Sequence, residues 1–349
     1  MSGGNNGSPL LLAVSVAAID FLEEDCICTY NVSFTINGLE SNSFYFSCWW
    51  CEGIVNLTEG EPLVIEDITK DVSIDGLEYT IHETLHTAKL KNGKSWSGEL
   101  KIPSEVSYEG QKYTVIDIIS SAFSGNTALT SVTIPNSVTN IGRAAFKGCT
   151  GLTSIIIPES VKTIGYYAFQ NCTNLANITI PNGVTSIGLN AFTGTAWYNN
   201  LPDGVVYVGN IAYTYKGTMP EGTIITIREG TSMINQYAFS ECRNLTSVNI
   251  PESIKTIGEW AFMDCKSLTS VIIPGSVTMI GMGVFHNCSG LTSVVISEGV
   301  EIIGAVAFDG CSSLTSITIP SSVTTINNGA FYDCKKLAEV KCNATVPPT

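Results

Sequence analysis

The chain has 349 residues, of which 44% are apolar and 14% charged, and its net charge is −14. That apolar content excludes disorder as the main state, because disordered chains are poor in apolar residues and rich in charge. A strongly acidic chain with no basic cluster is a poor partner for nucleic acid or anionic membranes, and three histidines (His82, His86, His286) restrict acid–base and metal chemistry.

The first 69 residues carry ten Asp or Glu and no Lys or Arg; the other 280 carry 21 acids against 17 bases. So abrupt a shift places a boundary near residue 70 and predicts an acidic, Cys-containing N-terminal segment over 1–70, a small β domain or partly disordered. Its apolar run Pro9–Ile19 is too short to span a bilayer. The run resembles the middle of a signal peptide but has no basic residue before it, so a buried strand or a mis-assigned start codon is the better reading and no export signal is convincing. Cys26-x-Cys28 and Cys48-x-x-Cys51 have the spacing of four zinc thiolates, of two disulfides, or of free buried cysteines.

Residues 71–122 read as capping strands and a hairpin. Here His82-Glu83-Thr84-Leu85-His86 matches the H-E-x-x-H pattern of zinc peptidases. That chemistry needs a helix, which puts both imidazoles on one face with Glu as general base. Leu77–Ile81 instead alternates like a strand, and an extended segment would hold the histidines roughly 13 Å apart. A zinc peptidase is therefore a remote alternative. Glu105–Ile116 reads as a hairpin about Glu109-Gly110, where a stacked fold needs a cap.

From residue 123 to 349 the sequence repeats. Phe123, Phe146, Phe169 and Phe192 are spaced by 23, as are Phe239, Phe262, Phe285, Phe308 and Phe331. The type unit is Leu129–Gly151, LTSVTIPNSVTNIGRAAFKGCTG. Leu129, Val132 and Ile134 point inward from an extended piece, with Ser131 and Thr133 facing water. Pro135 ends that strand because it lacks an N–H. Val138 and Ile141 form a second short extended piece and Gly142 permits the bend. Ala-Phe-x-x-Cys suits one helical turn. A 23-residue coil cannot bury its own apolar face; stacked coils can.

The unit L-x-x-V-x-I-P-x-x-V-x-x-I-G-x-x-A-F-x-x-C resembles the BspA-like, treponemal-type leucine-rich repeat over about residues 76–349. The resemblance implies a solenoid, a right-handed superhelix of short parallel β-strands. It also implies a cell-surface or secreted protein of a host-associated microbe that acts in adhesion.

Between Phe192 and Phe239 the spacing is 47, and Ala196–Thr223 replaces a regular coil with two alternating runs about Gly209-Asn210, a hairpin signal. Cys149, Cys172, Cys242, Cys265, Cys288, Cys311 and Cys334 hold one phase of the repeat and read as buried small hydrophobes, with Asn126 and Thr195 in their place in irregular coils. After Phe331 another coil begins with Leu337, Val340 and Cys342, so the C-terminal edge is an expected site of self-association. No nucleophilic grouping, phosphate loop or acid–base pair stands out, so no cofactor and no catalysis are expected. The variable surface supplies Tyr166, Tyr167, Trp260 and Ile272 as candidate anchors for a protein or glycan. The expectation is a non-catalytic binding protein, with a self-assembling structural protein as the alternative.

Overall fold

The structure, a computed structural model, describes residues 69–344 and 348, and the backbone of strands within 43–66. The chain divides into two compact units, Met1–Ile68 and Thr69–Thr349. In the first, Ser43–Ser47, Glu52–Asn56 and Val64–Glu66 pair as an antiparallel sheet in that order. Cys26, Cys28, Cys48 and Cys51 lie outside the described residues.

The second unit opens with an antiparallel meander, Thr69–Ile74, Leu77–His82 and Thr87–Asn92. Glu105–Tyr108 and Gln111–Ile118 form the expected hairpin, with Glu109 and Gly110 at the turn. Its second strand is also a member of the coil stack. Gln111–Ile118 pairs in parallel with Thr87–Asn92 on one side and Asn140–Ile141 on the other, so the meander does the capping.

Each regular coil then adds two strands. The longer ones, such as Ser270–Ile273 and Ser293–Ile296, pair in parallel, register Val271 with Val294 and alternate buried and exposed residues. The shorter ones are the Ile-Gly pieces, for example Thr163–Ile164 between Asn140–Ile141 and Ser186–Ile187. Glycine follows because the backbones of adjacent coils touch: a Cβ at Gly142 would stand 2.6 Å from the carbonyl carbon of Ile119.

Over Ala-Phe-x-x-Cys the structure departs from the expected helical turn. The segment is a run of tight turns in which alternate amides serve different partners. Ala145, Lys147 and Cys149 N–H donate within the coil, to Gly142, Ala144 and Phe146 carbonyls. Ala144, Phe146 and Gly148 N–H donate to the next coil, at Tyr166, Ala168 and Gln170. A helix would spend every amide internally; here half of them join coils. The alternation requires left-handed residues, so Ala144, Tyr167 and Trp260 have φ of 53°, 59° and 57°. Such a conformation costs a non-glycine residue about 1–2 kcal/mol, set against a hydrogen bond to the next coil.

The phenylalanines form two columns. In the first, Phe123, Phe146, Phe169 and Phe192 stack with centroids 5.0, 5.3 and 5.7 Å apart and rings within 4° of parallel. The second runs Phe239, Phe262, Phe285, Phe308 and Phe331 at 5.2–5.4 Å. Burying each ring is worth on the order of 1.5–3 kcal/mol before any stacking term.

Between the columns the coil is rebuilt. Thr195 caps a short helix, Ala196–Asn200, by accepting the Tyr198 N–H at 3.0 Å. The hairpin Gly204–Val208 and Ile211–Lys216 follows, turning at Gly209-Asn210. Trp197 and Tyr213 set their edges against Phe192, at 5.3 and 5.7 Å, and so close the first column.

Candidate recognition surfaces

Three places could present chemistry: the longer-strand face, the row of turns, and the break between the columns.

Between its terminal strands, which carry the exposed Glu99, Lys101, Glu339 and Lys341, the longer-strand face is lined by neutral side chains. Ser154, Ser270, Ser293 and Ser316 form one exposed row; Thr133, Thr179, Asn249 and Thr318 stand in the next. Aliphatic residues interrupt both. Ile272 and Val295 are in direct register, 61% and 50% exposed, while Ile156 and Ile224 reach 70% and 66%. One exposed aliphatic is unremarkable. In this pair the exposed side chains stand in register on two adjacent strands.

Along the turns, Tyr166 is 39% exposed and donates its hydroxyl to Gln236 Oε1 at 2.7 Å. Tyr167 is half-buried, with the Arg143 and Lys147 cations 5.8 and 5.5 Å from its ring centre. Trp260 is half-buried on Gly283 and sets its ring edge-on to His286, whose Nδ1 lies 3.1 Å from Asp309 Oδ2. The four candidate anchors thus do not converge: three aromatics belong to the turn row and Ile272 to the strand face.

The break shows how a solenoid heals a missing coil. In a regular coil the Ile164 carbonyl accepts the Gly188 N–H of the next coil. The Ile187 carbonyl instead accepts from the Asn235 side chain, Nδ2 at 2.8 Å. Asn235 occupies the glycine position of the repeat, as Asn327 does in the last coil. Likewise Phe169 N–H donates to Ala191 across the coils. Phe192 N–H meets the buried Tyr213 hydroxyl, and burial pushes the pKa of that tyrosine up. Side chains have replaced two inter-coil backbone bonds. Beside them lies a cleft of about 250 Å³, open mouth included. Sequence reasoning passed over Asn235, Gln236 and Tyr237. The readable signal was Asn235 itself, an asparagine where Gly142, Gly165, Gly188, Gly258, Gly281 and Gly304 stand in other coils.

The other sequence candidates fall elsewhere. His82 ends a strand, and His86, at φ 52°, closes the turn to Thr87–Asn92; Leu85 N–H donates to His82 Nδ1 at 3.2 Å. H-E-x-x-H therefore forms a hairpin turn, not a helix, and not the extended strand expected either. Among the described residues no three His, Cys, Asp or Glu side chains gather as metal ligands.

Of the repeat cysteines, Cys149, Cys172, Cys265, Cys288 and Cys311 are buried, and Cys242 and Cys334 half-buried. Each of the five buried thiols donates to the carbonyl of the Phe 26 residues earlier, as Cys288 does to Phe262 at 3.1 Å. Burial pushes the Cys242 pKa up to about 12, and those of Cys265, Cys288 and Cys311 upward as well. Cys242, Cys265, Cys288 and Cys311 are therefore protonated packing groups at neutral pH. Asn126, in the same phase, donates to the Gly93 and Trp96 carbonyls and accepts from Ala128 and Leu129 N–H, which ties the first coil to the cap.

Stacked coils of two short strands and a hydrogen-bonded turn, around a ladder of identical apolar positions, define a leucine-rich-repeat solenoid. The model of the BspA type leucine rich repeat region matches residues 110–219 and 211–338. The chain belongs to this BspA-type family, whose members are surface protein-interaction repeat proteins. Among solved structures, a leucine rich cell surface protein from Faecalibacterium prausnitzii is 24% identical over 79% of this chain and 95% of its own, with a TM-score of 0.38. The leucine-rich repeat protein of T. pallidum is 26% identical over 70% and 91%, with a TM-score of 0.31. One from Bacteroides capillosus is 34% identical over 36% and 93%, with a TM-score of 0.34. A search of curated proteins finds no match. Among the described residues no helix is long and apolar enough to cross a membrane.

Proposed function

We propose that the chain is a non-catalytic adhesion module of a cell surface, which grips a protein through the longer-strand face of its second column. The observation that carries this is the registered pair Ile272 and Val295, exposed on a four-stranded sheet whose other outward residues, Ile224 apart, are neutral and short. Apolar anchors ringed by small polar groups are how protein interfaces concentrate binding energy. A rigid sheet holds them without ordering cost. The name of the F. prausnitzii relative, a cell surface protein, agrees with this location.

Fluorescently labelled full chain applied to cultured epithelial cells tests this. Binding should be saturable, abolished by mild trypsin treatment of the cells, and weakened at least tenfold by a combined Ile272→Asp, Val295→Asp variant. Undiminished binding by a folded double variant would remove the strand face from the interface.

A further inference from the structure

The cleft at the break in the stack has a chemistry that neither column shows. Its wall includes Asn190, Thr193, Tyr198, Thr214, Gln236 and Tyr237, together with the buried Tyr213 and Asn235, and no charged residue lines it. Two side-chain amides are half-used there. Asn190 Oδ1 accepts from the Thr193 hydroxyl at 3.1 Å and Gln236 Oε1 from Tyr166 at 2.7 Å, so each keeps its NH₂ donors without a partner among the described residues. Asn235 is 99% buried; its Nδ2 is committed to Ile187, and its Oδ1 accepts nothing from the described residues. A buried acceptor left unpaired is costly, and a stacking repeat has no reason to retain one.

We infer that this cleft is a binding site for a neutral saccharide, one sugar ring with its vicinal hydroxyls turned toward the amides of Asn190 and Gln236. Three features select that class. A wall without charge of its own penalises an ionic ligand, and the nearest charges, Lys216 over the Tyr198 ring and Asp203, are paired with each other at 3.8 Å. A wall of amides and hydroxyls penalises a purely apolar ligand, which would strip water from polar groups and return no hydrogen bond. A hydroxylated ring both donates and accepts, and its C–H faces suit tyrosine rings, which are apolar in body and polar at the tip. Size sets the limit. The cleft is too small to enclose a ring, so one hydroxyl enters and the ring lies across the open side, beside Tyr198 and Tyr237.

The test uses the full chain with glucose, galactose, mannose and N-acetylglucosamine, and with glucuronate and glucosamine as the charged counterparts, by saturation-transfer NMR and calorimetry. At least one neutral sugar should bind, with the charged ones at least tenfold weaker. Gln236→Ala and Asn190→Gly should each cost about tenfold in affinity; glycine keeps the positive φ of 57° that residue 190 needs. Should Gln236→Ala fail to fold, Asn190→Gly carries the same comparison. Ile272→Asp, Val295→Asp should bind the sugar as the parent does, which separates this site from the strand-face interface. Absence of binding across the neutral panel at millimolar sugar overturns the assignment. So does equal affinity for the charged sugars, or unaltered affinity in the folded cleft variants.

Discussion

Replacing Phe285 by alanine probes the ring column where it is most complete. Phe285 is fully buried and stacks on Phe262 and Phe308, each 5.4 Å away. Truncating a buried phenylalanine costs about 3–5 kcal/mol, depending on how far the hole collapses. Collapse is limited here, because the rings above and below are held by their own coils. The upper part of that range is therefore expected. Phe331 sits at the end of the column, half-buried, with Phe308 as its one stacking partner. Phe331→Ala should cost about half as much, since the cost scales with burial and the space left. In a stack whose energy is local, the damage is local too. Hydrogen exchange followed by mass spectrometry, alongside guanidinium unfolding, reads both. Phe285→Ala should lose protection around Phe262–Phe308 and leave the amides near Phe123–Phe169 unaltered. Equal losses from the two variants, or a uniform loss across both columns, would refute the reasoning.

Other consequences are as direct. Gly283 has φ of 60° and lies under the Trp260 ring, so Gly283→Ala should expel the indole, shift its fluorescence to the red and cost about 1–3 kcal/mol. Differential alkylation of the native protein, read cysteine by cysteine, should among the eight described cysteines label Cys342 first, Cys242 and Cys334 slowly, and the five buried repeat cysteines only on unfolding; rapid labelling of Cys288 would contradict the packing. Burial raises Tyr79 to about 12 and Tyr213 also upward, so both favour the neutral phenol when folded. Their contribution is complete below the unfolded value of about 10 and is lost as pH rises through the folded value. An ultraviolet titration should show most tyrosines ionising first, and these two only together with alkaline unfolding near pH 12.

Much of the fold was legible because the repeat writes one constraint many times. The Phe and Cys phases fixed which positions face inward, and parallel stacking followed from the inability of one coil to bury itself. The turn run was not legible as such. Ala-Phe-x-x-Cys fits a helix by local spacing, and what overrides it is the demand of the next coil for every second amide, an interaction no single coil contains. H-E-x-x-H misled in another way, since the strand signal of Leu77–Ile81 hid a reversal at residues 83–86. The strand-face anchors could be read as aliphatics in hydroxyl positions; Ile224 was missed because the altered spacing after the hairpin obscured its phase. The cleft was invisible for a deeper reason: Asn190 and Tyr237 are 47 residues apart, and what joins them is the coil that is missing between them.

That repair has a consequence for how the molecule can vary. The walls of the cleft come from residues 189 to 237, and Tyr166 holds one of them, Gln236, from outside that range, so coils further out than Tyr166 could be duplicated or deleted while these contacts stay in place. Reach would then evolve separately from recognition: the arms on each side can lengthen or shorten while the joint keeps its shape.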